Sequence, residues 1–224
     1  MEEEIKKNVL KTGTSIVGIV CKDGIVIGAD RQTTAGNIAI NKNTKKLVKI
    51  NDYMAFAGTG QASDVRMMKK LTAAELRLKE LRSKARPRIK EGAHLMGMLA
   101  YNNIRKPQMV PFIAGSLVGG YNEDGSTELY TIEPAGTVTK VEDYDANFSS
   151  GMPYILGFLE RNYEEDLSIK DGIELAMEAL KSSTQRDVGS GYGIDVFSIT
   201  EEGIKHEVDQ NINPEYAERN KSKK

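Results

Sequence analysis

Side chains equipped for catalysis are scarce in this sequence, which holds two histidines and one cysteine. His94 lies among helix-spaced apolar residues and His206 stands beside Glu207. Nothing in the sequence converges on either, so a zinc site or a Ser-His-Asp triad is hard to assemble. No metal and no cofactor is expected. Cys21 closes an apolar run and reads as a buried, inert thiol. Gly189-Ser190-Gly191-Tyr192-Gly193 is glycine-rich, but it precedes a strand pattern and lacks the strand–loop–helix context of a dinucleotide site. A different feature stands out at the N-terminus. In Lys11-Thr12-Gly13-Thr14-Ser15-Ile16-Val17-Gly18 a threonine follows a glycine at the head of the first strand pattern. The residues before it are charged and without periodicity, as a removable leader would be.

The elements that must position such a hydroxyl can be read from periodicity. Thr14 to Val20 and Ile25 to Ile27 are strand-like around an Asp23-Gly24 turn signal, and Lys45 to Ile50 and Tyr53 to Ala57 bracket Asn51-Asp52. Apolar residues then fall at helical spacing from Ala62 to Leu81, and again through Ile89, Ala93, Met96, Ala100 and Ile104. Strand patterns return in Pro111 to Gly119, Thr127 to Ile132 and Thr137 to Val141. A helix is expected from Pro153 to Tyr163, and another after the capping-box-like Ser168-Ile-Lys-Asp171. Strands Ile194 to Thr200 and Ile204 to Val208 close the pattern before a polar tail. Hairpin-linked strands with helices gathered in pairs imply antiparallel sheets, not a doubly wound parallel one. The simplest arrangement is α+β, a four-layer αββα sandwich of two antiparallel sheets between helix pairs.

Composition narrows the function classes. In 224 residues, 31 Lys+Arg against 32 Asp+Glu leave a net charge of −1, which argues against a nucleic-acid-binding surface. No apolar run approaches the roughly 20 residues of a membrane span. The charged start has no secretory h-region, and a single cysteine suits a reducing compartment, so a soluble, cytoplasmic protein is expected.

Beyond the Gly13-Thr14 junction lie Gly28-Ala29-Asp30-Arg31, Asn43-Thr44-Lys45-Lys46-Leu47, Ala57-Gly58, Ser149-Ser150-Gly151-Met152-Pro153 and Arg186-Asp187-Val188-Gly189-Ser190-Gly191. In this order and register the chain resembles the proteasome β-subunits, especially the archaeal type, within the N-terminal-nucleophile (Ntn) hydrolases. The resemblance spans about Thr14 to Ile212. It implies the Ntn-hydrolase fold, a leader at residues 1–13, one domain at 14–212 and a tail at 213–224. It implies a threonine peptidase, with autocleavage between Gly13 and Thr14 giving Thr14 a free α-amine that serves as its base. An α-amine titrates at about 7.7–8.0, close to the optimum for a base at neutral pH. The implied helpers are Lys46, whose charge favours the neutral amine, and Asp30, which pairs with Lys46. Gly58 would donate its N–H to the oxyanion, and Ser150, Asp187 and Ser190 would orient the amine. The implied pocket is Thr33, Ile40, Thr44, Phe56 and Gly60, which apart from Lys46 is uncharged and so favours apolar side chains.

Implied partners are proteasome α-subunits, further copies in heptameric β-rings, a regulatory ATPase acting through the α-ring, and unfolded polypeptide substrates. The apolar positions of the first two helices exceed one stripe, which suits burial against neighbours. Family α-subunits carry an N-terminal helix and lack the Gly-Thr junction, so the β type is favoured. Two departures stand out: Ser15-Ile16 where the family commonly has two threonines, and Ser149 for the usual glycine before Ser150. Lys46 and Gly58 also stand about two residues closer together than the family pattern leads one to expect. A non-catalytic structural β-subunit, with Thr14 never released, remains the alternative. A nucleotide-binding module is the reading from another class.

Overall fold

The computed structural model describes residues 13–213. The implied leader apart from Gly13, and the tail from residue 214 onward, lie outside the described residues.

Strands β1 (Ile16–Cys21), β2 (Gly24–Asp30), β10 (Tyr144–Asp145), β11 (Gly193–Thr200) and β12 (Gly203–Asn211) form one sheet in the order β10-β1-β2-β11-β12. Strands β5 (Leu47–Asn51), β6 (Met54–Gly60), β7 (Ala114–Tyr121), β8 (Thr127–Ile132) and β9 (Val138–Val141) form the second, in chain order. All pairings are antiparallel. Helices α1 (Ala62–Ser83) and α2 (Ile89–Ile104) cover the outer face of the second sheet, and α3 (Met152–Asn162) and α4 (Ile169–Thr184) cover the first.

The layering follows from side-chain alternation along the strands. On β2, Ile25 and Ile27 point into the inter-sheet core while Val26 points to α4. On β6, Ala55 and Ala57 face that same core, and Met54 and Phe56 face α1 and α2. Strands buried on both faces read as continuous apolar runs, which is why the alternation is masked in the sequence. The four-layer α+β sandwich of the Ntn-hydrolase fold is therefore present.

Three local features depart from the sequence expectation. Strand β7 begins at Ala114, not Pro111: proline has no N–H to give a ladder, and the Ile113 N–H is taken by Asp64 Oδ2 at 3.0 Å. A small hairpin of β3 (Thr33–Ala35) and β4 (Ile38–Asn41) was not anticipated, nor was two-residue β10. Both are too short to show a period.

Candidate active site

The end of β2, the loop before β5, the loop before α3 and the turn before β11 all meet the segment that leads into β1. Asp30 is the last residue of β2 and is fully buried. Its Oδ1 accepts from the Ser15 N–H at 2.9 Å and from Lys46 Nζ at 2.6 Å. Its Oδ2 accepts from the Gln32 N–H at 2.8 Å and the Gly191 N–H at 3.0 Å. Four donors fill the acceptor sites of an ionised carboxylate, as burial of that charge demands. Burial pulls Lys46 below the ordinary lysine value and pushes Asp30 above the ordinary carboxylate value; their mutual contact opposes both. The four-donor shell favours the ion pair.

Thr14 is 6 % exposed, and its hydroxyl donates to the Gly13 carbonyl oxygen at 2.6 Å. Lys46 Nζ lies 3.4 Å from that same oxygen. The Thr14 N–H donates to Ser150 Oγ at 2.9 Å, and Ser150 Oγ in turn reaches Asp187 Oδ2 at 2.6 Å. Ser190 donates to the same Asp187 oxygen at 2.5 Å. Behind Ser190, Ser15 Oγ and then Ser183 Oγ follow at 2.7 Å each. A hydroxyl has one proton, so with Ser190 donating to the carboxylate Ser15 donates to Ser190, and the Ser183 proton is shared between Ser15 Oγ at 2.7 Å and the Leu180 carbonyl at 3.0 Å. The Ser15–Ser190–Asp187 part of this chain runs one way, so each of its bonds polarises the next. Neither Ser15 nor Ser183 was singled out as a positioning group from the sequence. No motif marks an isolated buried serine, and Ser183 reaches the site from the far end of α4.

The Gly13 junction is shaped by close backbone approach. A Cβ on Gly13 would lie 2.0 Å from Gly189 Cα, so no side chain fits between the two segments. Ser149, the departure before Ser150, is absorbed locally: its hydroxyl donates to the Ala146 carbonyl at 2.8 Å.

Gly58 lines the pocket beside Thr14 and also meets a packing constraint. Its N–H faces the Lys46 carbonyl at 3.4 Å, a long bond, and a Cβ there would strike Val65 Cγ1 at 2.3 Å. The missing side chain makes room for α1. Thr33, Thr44, Phe56 and Gly60 line one pocket beside Gly13 and Thr14, with about 110 Å³ of free space. Ile40 does not join them. It lies on β4 and is 63 % exposed, because that short hairpin stands clear of the core. The lining also includes Lys45, Arg66 and Lys69, so the pocket is not uncharged as expected. The last two lie with Ala62 and Val65 on one face of α1 at i, i+3, i+4 and i+7.

His206 is not isolated either: its Nε2 lies 2.9 Å from Asp195 Oδ1. Asp195, His206 and Asp209 bring ligand-type atoms together. The Arg31 guanidinium occupies both carboxylates, through Nε–Oδ2 of Asp195 at 2.8 Å and Nη2–Oδ1 of Asp209 at 2.5 Å. The trio belongs to a salt-bridge network. Among the described residues no helix is long and apolar enough to cross a membrane.

Comparison with known proteins agrees with this architecture. The family model described as "Proteasome subunit" matches residues 10–199. The chain is 40% identical over 193 residues to "Proteasome subunit beta 2" of Pyrococcus abyssi, covering 86% of this chain and 89% of that protein. It is 37% identical over 192 residues to "Proteasome subunit beta" of Nanoarchaeum equitans, covering 86% and 95% respectively. It is 36% identical over 197 residues to "Proteasome subunit beta" of Methanopyrus kandleri, covering 88% and 91%. With the layered fold and matches that span most of both partners, the chain belongs to the proteasome subunit family, among its β-subunits.

Proposed function

We propose that this chain is a catalytic β-subunit, a threonine-type endopeptidase that matures by cutting its own Gly13–Thr14 bond. The observation that carries the reading is the convergence on one carbonyl. The Thr14 hydroxyl and the buried Lys46 ammonium both contact Gly13 O, while the Thr14 nitrogen rests on Ser150. In maturation, Thr14 Oγ1 attacks the Gly13 carbonyl carbon and the C–N bond breaks. The Thr14 nitrogen takes up the hydroxyl proton, leaving Gly13 as an ester on Oγ1. Water then hydrolyses the ester, regenerating the hydroxyl and leaving a free α-amine.

That amine is the base for the peptidase cycle. It accepts the Oγ1 proton as the hydroxyl attacks a substrate carbonyl, gives it to the departing amine, and activates the water that releases the acyl group. The positive charge of Lys46 keeps the amine neutral at physiological pH. Asp30 holds Lys46 in place and in charge, and Ser150, Asp187 and Ser190 orient the nitrogen. The Gly58 N–H serves the oxyanion by exchanging its long bond to the Lys46 carbonyl for a shorter, charge-assisted one. Thr33, Thr44, Phe56 and Gly60 flank the substrate side chain.

Membership of the family implies assembly with α-subunits into the proteasome particle. Heptameric β-rings stacked between α-rings, fed with unfolded polypeptide by a regulatory ATPase in the cytoplasm, are the arrangement proposed here. The exposed apolar residues Met67, Leu71, Leu78 and Leu81 along α1 are suited to contacts in such a ring. The alternative is a structural subunit whose Thr14 stays in peptide linkage. Intact mass and N-terminal sequencing after co-assembly with the α-partner separate the two: loss of residues 1–13 supports the catalytic reading, and a full-length chain in assembled particles supports the other.

A further inference from the structure

We propose that the pocket beside Thr14 selects an acidic side chain on the amino side of the cut bond, with Arg66 and Lys69 of α1 setting that preference. The inference deepens the proposed peptidase function and rests on it. Four of the lining residues are basic, Lys45, Lys46, Arg66 and Lys69, and none is acidic. Two of these charges are already met. Lys46 is bound to Asp30 at 2.6 Å and Lys45 to Asp195 at 3.1 Å. Arg66 and Lys69 have no carboxylate partner among the described residues.

Phe56, 1 % exposed, supplies an apolar wall, and Val65 continues it on the helix side. The free space of about 110 Å³ leaves room for one side chain of middle size. A glutamate fits this chemistry: its methylenes lie against Phe56 and Val65 while its carboxylate meets the cations of α1. A leucine gains the apolar wall but leaves those charges unanswered. An arginine or lysine meets the like charges of Arg66 and Lys69, which raises the cost of its entry. The preference runs from Glu through Leu to Arg.

The test uses the processed particle, co-assembled with its α-partner, and three peptides that differ only in the residue before the cut: Glu, Leu or Arg. The expected order of kcat/KM is Glu, then Leu, then Arg. In an Arg66→Gln/Lys69→Gln variant the Glu-to-Leu ratio falls roughly tenfold, from about two- to fivefold for each half-exposed pair. Taking the ratio within one preparation removes any difference in assembled fraction. Raising salt from 0.1 M to 1 M shortens the screening length from about 10 Å to about 3 Å, so the wild-type ratio falls and the variant ratio holds steady. A Leu peptide cut faster than the Glu peptide at low salt, or a ratio that the double substitution leaves unmoved, overturns the inference while leaving the peptidase reading intact. If the particle cuts none of the three peptides, the peptidase reading fails and takes this inference with it.

Discussion

Replacing Lys46 with methionine keeps most of the side-chain volume and removes the charge, so it isolates what the ion pair does. Asp30 is fully buried and would lose its 2.6 Å partner while keeping the N–H groups of Ser15, Gln32 and Gly191. Leaving a buried charge without its partner costs about 3–5 kcal/mol, and the three remaining donors put this case at the lower end, near 3 kcal/mol. For a chain of this length each kcal/mol moves Tm by about 2–4 °C, so the subunit should melt roughly 6–12 °C lower at pH 7. The sign of the pH effect is fixed. Burial already raises Asp30 above the ordinary carboxylate value, and losing Lys46 raises it further. A carboxylate raised in the folded state penalises folding above its folded pKa, and the penalty fades as the pH drops toward the unfolded value. The deficit of Lys46→Met against wild type should therefore shrink between pH 7 and pH 5. Thermal unfolding of the isolated subunit at the two pH values gives the answer, and peptide hydrolysis by the assembled variant should fall by ~10²–10⁴-fold. A variant within about 1 kcal/mol of wild type at pH 7, or a deficit unchanged at pH 5, would refute the reasoning.

The pH–rate profile of the processed enzyme should be narrower than free Asp and Lys side chains would give. Its acid limb lies above the aspartate range because protonation of the Thr14 amine removes the base, and its alkaline limb lies below that of free lysine because burial lowers Lys46. Initial rates from pH 4 to pH 11 check this, and limbs at the values of unperturbed side chains contradict it. Burial, with Asp23 and Asp171 nearby, pushes the Cys21 thiol up to about 12. At pH 8 only about one molecule in 10⁴ carries the thiolate, so iodoacetamide should label the folded subunit far more slowly than the denatured one. Gly58→Ala places a methyl 2.3 Å from Val65 Cγ1 and 2.7 Å from the Phe56 ring, forcing α1 outward. A loss of about 1–3 kcal/mol in denaturant unfolding is expected, and an unchanged midpoint speaks against the packing role.

The helix-spaced positions of α2 and the hairpin turns on either side of Asp23 and Asp52 are plain in the sequence, because local pattern alone determines them. The pairing of Asp30 with Lys46 is implied only by the family resemblance, since 16 residues and a hairpin separate them. The depth of their burial is invisible until the sheets close over them. Arg66 and Lys69 illustrate the opposite failure. Charged residues in the first turns of a helix look like a solvated face, and only the approach of α1 to β6 across side-chain-free Gly58 turns that face toward Thr14. Ile40 is placed in the pocket by the family resemblance alone, and the β3–β4 hairpin that carries it pairs with neither large sheet. The serine chain through Ser15 and Ser183 joins residues 168 positions apart, beyond the reach of any spacing rule.

The most direct test of the central proposal is covalent trapping of the nucleophile. Particles co-assembled with the α-partner would be treated with a peptide carrying an electrophilic group at the scissile position, digested, and mapped by mass spectrometry. The mass of the trapped group should appear on Thr14, on a peptide that begins at that residue, and should be lost in Thr14→Ala. Peptide hydrolysis that persists with Thr14 unlabelled and still joined to Gly13 would contradict the assignment.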